Sequence, residues 1–131
     1  MEPLITYISD AVAFLYYLLD KLPLKADKAF KEAEEGRALL YLPTIAAAEL
    51  YYLFERKGWI KQWSKLKAEM KRHTTFAYYS FNVDVLDLFG ETKAREIHDK
   101  IIILTARLLK AKALVTKDEE ISKLGEVKTL W

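Results

Sequence analysis

The stretch "KALVTKDEE", residues 112–120, opens as an apolar run and closes on three carboxylates. Ala113-Leu114-Val115-Thr116 reads as a buried strand. Strands of that kind commonly stop at neutral turn residues. This one reaches Asp118 after a single intervening lysine, with Glu119 and Glu120 directly behind. Upstream, Ala94, Ile97, Ile101, Leu104 and Leu108 recur at helical spacing and predict one buried stripe on a helix over 91–111. Downstream, "EVKTL" (126–130) predicts another short strand.

The same alternation runs through the rest of the chain. Short apolar runs at 4–8, 38–42 and 78–83 predict three more strands. Helical patterns fill 11–22, 24–36, 44–57 and 59–72, with a short turn over 84–89. Thr44 is the expected N-cap of the third helix. Trp59, Trp63, Leu66 and Met70 form the apolar stripe of the fourth. Strands alternating with helices of ten or more residues imply parallel crossovers, hence a central sheet covered on both faces. The expectation is one α/β domain over 1–131, a three-layer α/β/α sandwich.

Composition narrows the class. The 131 residues are 52% hydrophobic and 31% charged, with 4 Gly and 3 Pro, a globular rather than disordered balance. With no cysteine, disulfides and thiolate metal sites are excluded. The start, Met1-Glu2-Pro3, lacks the basic region of a secretory signal, and "AVAFLYYLL" (11–19) is too short to span a bilayer. A cytoplasmic protein without membrane attachment is expected. Residues 56–73 carry a net +6 in a chain whose total is +2. Such a basic segment fits a nucleic-acid partner and equally a lysine-rich solvated helix.

Four acids occupy unusual places. In open α/β sheets ligands bind beyond the carboxyl ends of the strands. Asp10 follows the first strand and Asp118 follows "ALVT"; each also fits a helix cap or turn, so either alone leaves both readings open. Glu49 sits among Ile45, Tyr52 and Leu53 on the inward face of its helix. An ionised carboxylate there costs several kcal/mol unless paired or metal-bound. A salt bridge or a raised pKa would satisfy it; a polar cleft is the favoured reading. Asp99 lies at the flank of the 91–111 stripe, half-sheltered. His73 and His98 are too few and too isolated to predict a histidine-rich zinc site.

Together, "ITYISDAVAFLYYLL", "YLPTIAAAELYYL", "REIHDKIIILTARLLKAKALVTKDEEI" and "VKTL" resemble a PIN domain, most closely the VapC-like toxin ribonucleases. The resemblance spans nearly the whole chain. It implies a parallel sheet of about five strands. It further implies that Asp10, Glu49, Asp99 and Asp118 converge in one acidic pocket as metal ligands and catalytic residues, holding Mg²⁺ or Mn²⁺. Thr116 matches the hydroxyl residue the family often places before its last acid. Many relatives carry Thr, Ser or Asn just after the first Asp, where Ala11 and Val12 stand here. The implied activity is metal-dependent hydrolysis of RNA phosphodiesters, leaving a 5′-phosphate and a 3′-hydroxyl. Oxygen-only ligands suit these ions, and such an ion relieves the repulsion of clustered carboxylates.

An RNA substrate requires cations near the pocket. Lys117, Lys100, Arg95, Arg56 and Lys57 lie near the four acids in sequence, and the 56–73 segment is a second candidate. The resemblance also implies a VapB-like antitoxin and a homodimer. Tyr16-Tyr17 and Tyr51-Tyr52 are candidates for such a face, although adjacent tyrosines on a helix more often divide between core and boundary. Two other readings stay open: a PIN nuclease of RNA processing or quality control without an antitoxin, and a binding module that has lost turnover.

Overall fold

The computed structural model describes residues 4–131; the first three residues, read above for a leader, lie outside it. In chain order the elements are β1 (Ile5–Ser9), α1 (Ala11–Leu18), α2 (Leu24–Glu34), β2 (Ala38–Pro43), α3 (Thr44–Lys57) and α4 (Ile60–Arg72). There follow β3 (Phe76–Tyr79), α5 (Val83–Leu86), a 3-10 turn (Phe89–Glu91), α6 (Ile97–Leu108), β4 (Ala113–Val115), α7 (Glu119–Leu124) and β5 (Thr129–Leu130). The five strands form one sheet in the order β3-β2-β1-β4-β5, every pair parallel. Helices cover both faces, giving the three-layer α/β/α arrangement. Among the described residues no helix is long and apolar enough to cross a membrane.

The strand sequences explain their places. All three residues of β4 are buried, as are Tyr7, Ile8 and Ser9 of β1, the condition of inner strands covered on both sides. Over one face Phe14 of α1, Phe30 of α2 and Phe76 of β3 meet edge-to-face, with Tyr17 stacked on Phe30 at 4.6 Å. A second cluster, Val85, Ile101 and Leu104, packs with Ile45 and Tyr79 and so fastens α5 and α6 beside α3. Gly58 closes α3 with φ at 71°, a left-handed turn that a side chain would strain.

Several boundaries differ from the pattern reading, and each difference has a long-range cause. α6 starts at Ile97 rather than 91 because Thr92 and Lys93 donate hydrogen bonds to the two carboxylate oxygens of Glu126, at 2.7 and 2.8 Å. The same ties draw Glu126 off the last strand, which shrinks to Thr129–Leu130. Ala94 is therefore buried outside the helix, and Ile97, expected inside, is 55% exposed. The 78–83 strand lies instead at Phe76–Tyr79, because Asn82 leaves the sheet to cap α5 at the Val85 N–H. Thr44 is the first helical residue after Pro43 and caps nothing. Trp59 precedes α4 and is exposed, while Leu66 and Met70 keep the buried stripe. α1 stops at Leu18, before the left-handed Asp20.

Candidate active site

Strand order reverses between β1 and β4: the chain runs outward from β1 through β2 to β3, then returns to build β4 and β5 on the other side. Helices that follow such neighbouring strands diverge, leaving a crevice at the strands' carboxyl ends. Asp10 and Asp118 stand at that crevice. They border a cavity of about 200 Å³ also lined by Glu49, His98 and Asp99. Four acids drawn from the ends of two strands and from two separate helices thus share one hollow.

Register explains how the first pair meets. Ser9 is paired with Val115, so the next residues, Asp10 and Thr116, fall side by side. The buried Thr116 hydroxyl donates to Asp10 Oδ2, while the Asp118 N–H donates to Thr116 Oγ1 at 3.0 Å. Asp10 Oδ1 caps α1 at the Ala13 N–H, 2.8 Å away. Asp118 Oδ1 caps α7 at Ile121, at 3.1 Å. Capping and cleft are therefore joint properties of these acids, since each spends one oxygen on a helix and turns the carboxylate toward the hollow. Ala11 and Val12 bring no hydroxyl to Asp10; Thr116 of the neighbouring strand supplies one instead.

Glu49 comes from the second turn of α3, where it meets His98 Nδ1 at 3.4 Å. Asp99 comes from the first turn of α6. Among the described residues it makes neither a hydrogen bond nor an ion pair. None of the four acids has a Lys or Arg within 4 Å among those residues.

Electrostatics follow from that isolation. Burial pushes Asp10 up to about 6, with Asp118 and Glu49 adding to the rise against the Thr116 and Ala13 hydrogen bonds. Burial, then Glu96, Asp118, Glu120 and Asp10, likewise raise Asp99 to about 6. Burial also lifts Glu49, with His98 opposing. Groups in this state either hold protons or welcome a cation. The free oxygens of Asp99 and Glu49 and the second oxygens of Asp10 and Asp118 offer a hard, oxygen-rich donor set. That set fits Mg²⁺ or Mn²⁺ with several retained waters.

Among the described residues, the side chains with the tightest metal-like spacing lie elsewhere. Glu34, Glu69 and His73 bring three ligand atoms within 4.8 Å of one another, closer than any three of the pocket acids. This group sits where α2 and α4 end, before β2 and β3, at the opposite end of the sheet. Its members already satisfy one another: Tyr17 donates to Glu34 and lies 3.0 Å from Glu69, and Glu69 pairs with His73 at 3.0 Å and Arg72 at 3.5 Å.

Two pocket residues were set aside on sequence, His98 as too isolated for a metal site and Glu96 as an ordinary acid of a helix's first turns. The signal was local: Glu96 precedes Asp99 by three positions, so both share a helix face once α6 begins at Ile97. A larger cavity of about 410 Å³ adjoins the first through Glu96, Asp99 and Ile121, and carries Lys93 and Arg95. Lys117 reaches Tyr16 on α1. Lys100 donates to the Ala94 carbonyl. Arg56 lies over the Tyr52 ring; with Lys57 it is about 10 Å along α3 from Glu49. Of the adjacent tyrosines, Tyr17 is half-buried against the core, whereas Tyr51 and Tyr52 are 39% and 60% exposed.

The PIN domain family model matches residues 7–127. Among solved structures, the chain is similar to VapBC2 from Rickettsia felis bound to a promoter DNA fragment. The TM-score is 0.75 at 16% identity, covering 95% of this chain and 97% of that one. It is also similar to VapC20 from Mycobacterium tuberculosis, a sarcin-ricin loop cleaving toxin, with TM-score 0.68, 14% identity, and 93% and 98% of the two chains covered. A toxin-antitoxin complex from Klebsiella pneumoniae matches at TM-score 0.62 and 17% identity over 88% of this chain and 89% of that chain. At these identities the likeness concerns the fold. No curated protein matches the chain.

Proposed function

The chain belongs to the PIN domain family, and from that premise we propose that it is a divalent-metal-dependent endoribonuclease, the toxin of a VapBC-type pair. A shared fold leaves activity open, so the reading rests on the site. The observation that carries it is the convergence of Asp10, Glu49, Asp99 and Asp118 on one cavity with no Lys or Arg partner within 4 Å among the described residues.

In this reading the four carboxylates hold Mg²⁺ or Mn²⁺. When bound, such an ion polarises the scissile phosphate and makes an attacking water more acidic. The chain's own residues prepare the ground. Thr116 fixes the rotamer of Asp10 and leaves its other lone pairs facing the hollow. Asp99, which makes no hydrogen bond or ion pair among the described residues, would accept the proton of the attacking water. His98 steadies Glu49. Lys93 and Arg95 in the adjoining cavity neutralise phosphates of an RNA strand leaving the pocket. Neither a Ser-His nor a Cys-His nucleophile is required.

A VapB-like antitoxin and a second copy of the chain are the proposed protein partners. An almost wholly apolar groove of about 350 Å³ between Thr44, Ala47, Trp63 and Tyr78, continuous through Trp63 with the exposed Tyr51, supports a protein contact. The test of function is cleavage of single-stranded RNA by purified protein with Mn²⁺, with mapping of the new ends. Products bearing 5′-phosphates, lost on chelation and in Asp10→Asn, are expected. Metal-independent cleavage, or equal cleavage by Asp10→Asn, overturns the reading.

A further inference from the structure

We infer that Tyr16, Lys117 and Trp131 form a ledge beside the acidic pocket that stacks one unpaired nucleobase of the RNA next to the scissile phosphate. The inference rests on the nuclease reading and names where its substrate lies.

The three residues come from separate elements and meet at the carboxyl end of the sheet. Lys117 lies between Thr116 and Asp118. Thr116 turns inward to Asp10, so the extended backbone aims Lys117 outward, toward α1. There its ammonium donates to Tyr16 Oη at 3.0 Å and sits 4.9 Å from the ring centre. Tyr16 is one helical turn beyond Val12, which lines the pocket, and so stands about 6 Å further along the same face of α1. Trp131 follows the edge strand β5, whose Leu130 is paired with Val115; the next step of that register sets Trp131 level with Thr116. Its ring meets Tyr16 at 5.4 Å and 65°.

Chemistry favours a nucleotide over a general apolar partner. The lysine is exposed and the two rings are partly exposed, so aromatic surface and a cation are offered together. Proteins hold single-stranded nucleic acid with that pair: a ring for the base and a cation for the phosphate. Lys117 lies next to Asp118 and, like Arg95 beside Glu96, is committed to neither a carboxylate nor a backbone carbonyl among the described residues. The far side of the pocket opens instead toward Lys93 and Arg95. A strand crossing the hollow would thus meet positive charge on both sides, and an aromatic stack on one.

Stacking needs a base free of its helix, so the ledge makes the enzyme selective for single-stranded segments. The test pairs protein and RNA changes. A ~12-nucleotide single-stranded RNA, within the site size of single-strand binders, is scanned with one abasic sugar at a time. Binding is measured by fluorescence anisotropy in the Asp10→Asn background, and cleavage in the parent with Mn²⁺. Tyr16→Leu keeps an apolar side chain and removes the π-face, and Trp131→Phe keeps a π-face. Without its base at one position flanking the cut, RNA should bind the reference protein about 5-fold or more weaker, as for lost base stacking. That loss should nearly vanish in Tyr16→Leu, because the partner surface is already gone. Trp131→Phe should retain most of the loss. Lys117→Met should lower the salt slope of binding by about one.

Equal abasic penalties in reference and Tyr16→Leu proteins at every position overturn the ledge, as does the absence of RNA binding. A parent that binds with the predicted non-additivity yet cleaves nothing overturns the nuclease reading and leaves the ledge standing. Cleavage with additive abasic effects does the reverse.

Discussion

The two ends of the sheet carry two acidic clusters that differ in what neutralises them. At the amino end, Glu34 and Glu69 crowd around Tyr17 and His73, with Arg72 at 3.5 Å from Glu69. Burial and the two carboxylates push the Tyr17 phenol far upward, so its proton stays in place to be accepted. At the carboxyl end, Asp10, Glu49, Asp99 and Asp118 spread around a larger hollow, and their partners are two helix N-termini, one threonine and one histidine. Compactness alone would favour the first cluster as a metal site. Internal satisfaction decides the other way: a group whose hydrogen bonds are complete gains little from a cation, whereas clustered carboxylates with no Lys or Arg within 4 Å among the described residues gain much.

The largest expected effect separates the ends by chemistry. Asp10→Asn should reduce Mn²⁺-dependent RNA cleavage by ~100-fold or more, the scale of losing a principal electrostatic group. Glu69→Gln should leave the rate within about twofold of the parent, the residue lying outside the pocket. Comparable losses from both, in kinetics on folded proteins, would dissolve the distinction.

Next in size is Thr116→Val, which removes the hydroxyl that Asp10 accepts and Asp118 donates to. A loss of about 10- to 100-fold in metal affinity or rate is expected, as for groups that orient ligands. Metal titration on the variant distinguishes this from global destabilisation.

The pH dependence should also differ. Asp10 and Asp99, raised from 3.8 to about 6, bind protons more tightly folded than unfolded. Their contribution to stability is therefore complete below about pH 4 and is lost as pH rises through about 6. Mn²⁺ should restore it, so the metal-induced rise in Tm should be large near neutral pH and shrink toward pH 5. Thermal melts with and without Mn²⁺ check both signs. In Asp10→Asn the metal-free pH dependence should flatten.

The smallest effect belongs to the amino end. Tyr17→Phe removes the proton shared between Glu34 and Glu69, and should cost about 0.5–1.5 kcal/mol, the net range of an ordinary intramolecular hydrogen bond. Cleavage per folded molecule should not change. Denaturant unfolding alongside the RNA assay reads both.

Much of this was legible in the chain because it depended on local pattern. An apolar run ending in Asp118, an Asp after the first strand and a glutamate on an apolar helix face are features of neighbouring residues. What the pattern missed depends on contacts across the fold. Glu126 reaches back to Thr92 and Lys93, and that alone shortens α6 and the last strand and frees Ile97 to solvent. Thr116 could be matched to a family position, but its bond to Asp10 requires the β1–β4 register. His98 and Glu96 looked ordinary for the same reason: their pocket exists only once α3 and α6 are packed. The amino-end cluster was invisible, since Tyr17, Glu34 and Glu69 meet only in three dimensions.

Anomalous diffraction from crystals soaked in Mn²⁺ near neutral pH addresses the central claim most directly. A peak among the carboxylates of Asp10, Asp99 and Asp118, with Glu49 bonded directly or through water, is the predicted result. A peak instead between Glu34, Glu69 and His73, with the carboxyl-end hollow empty, would contradict it.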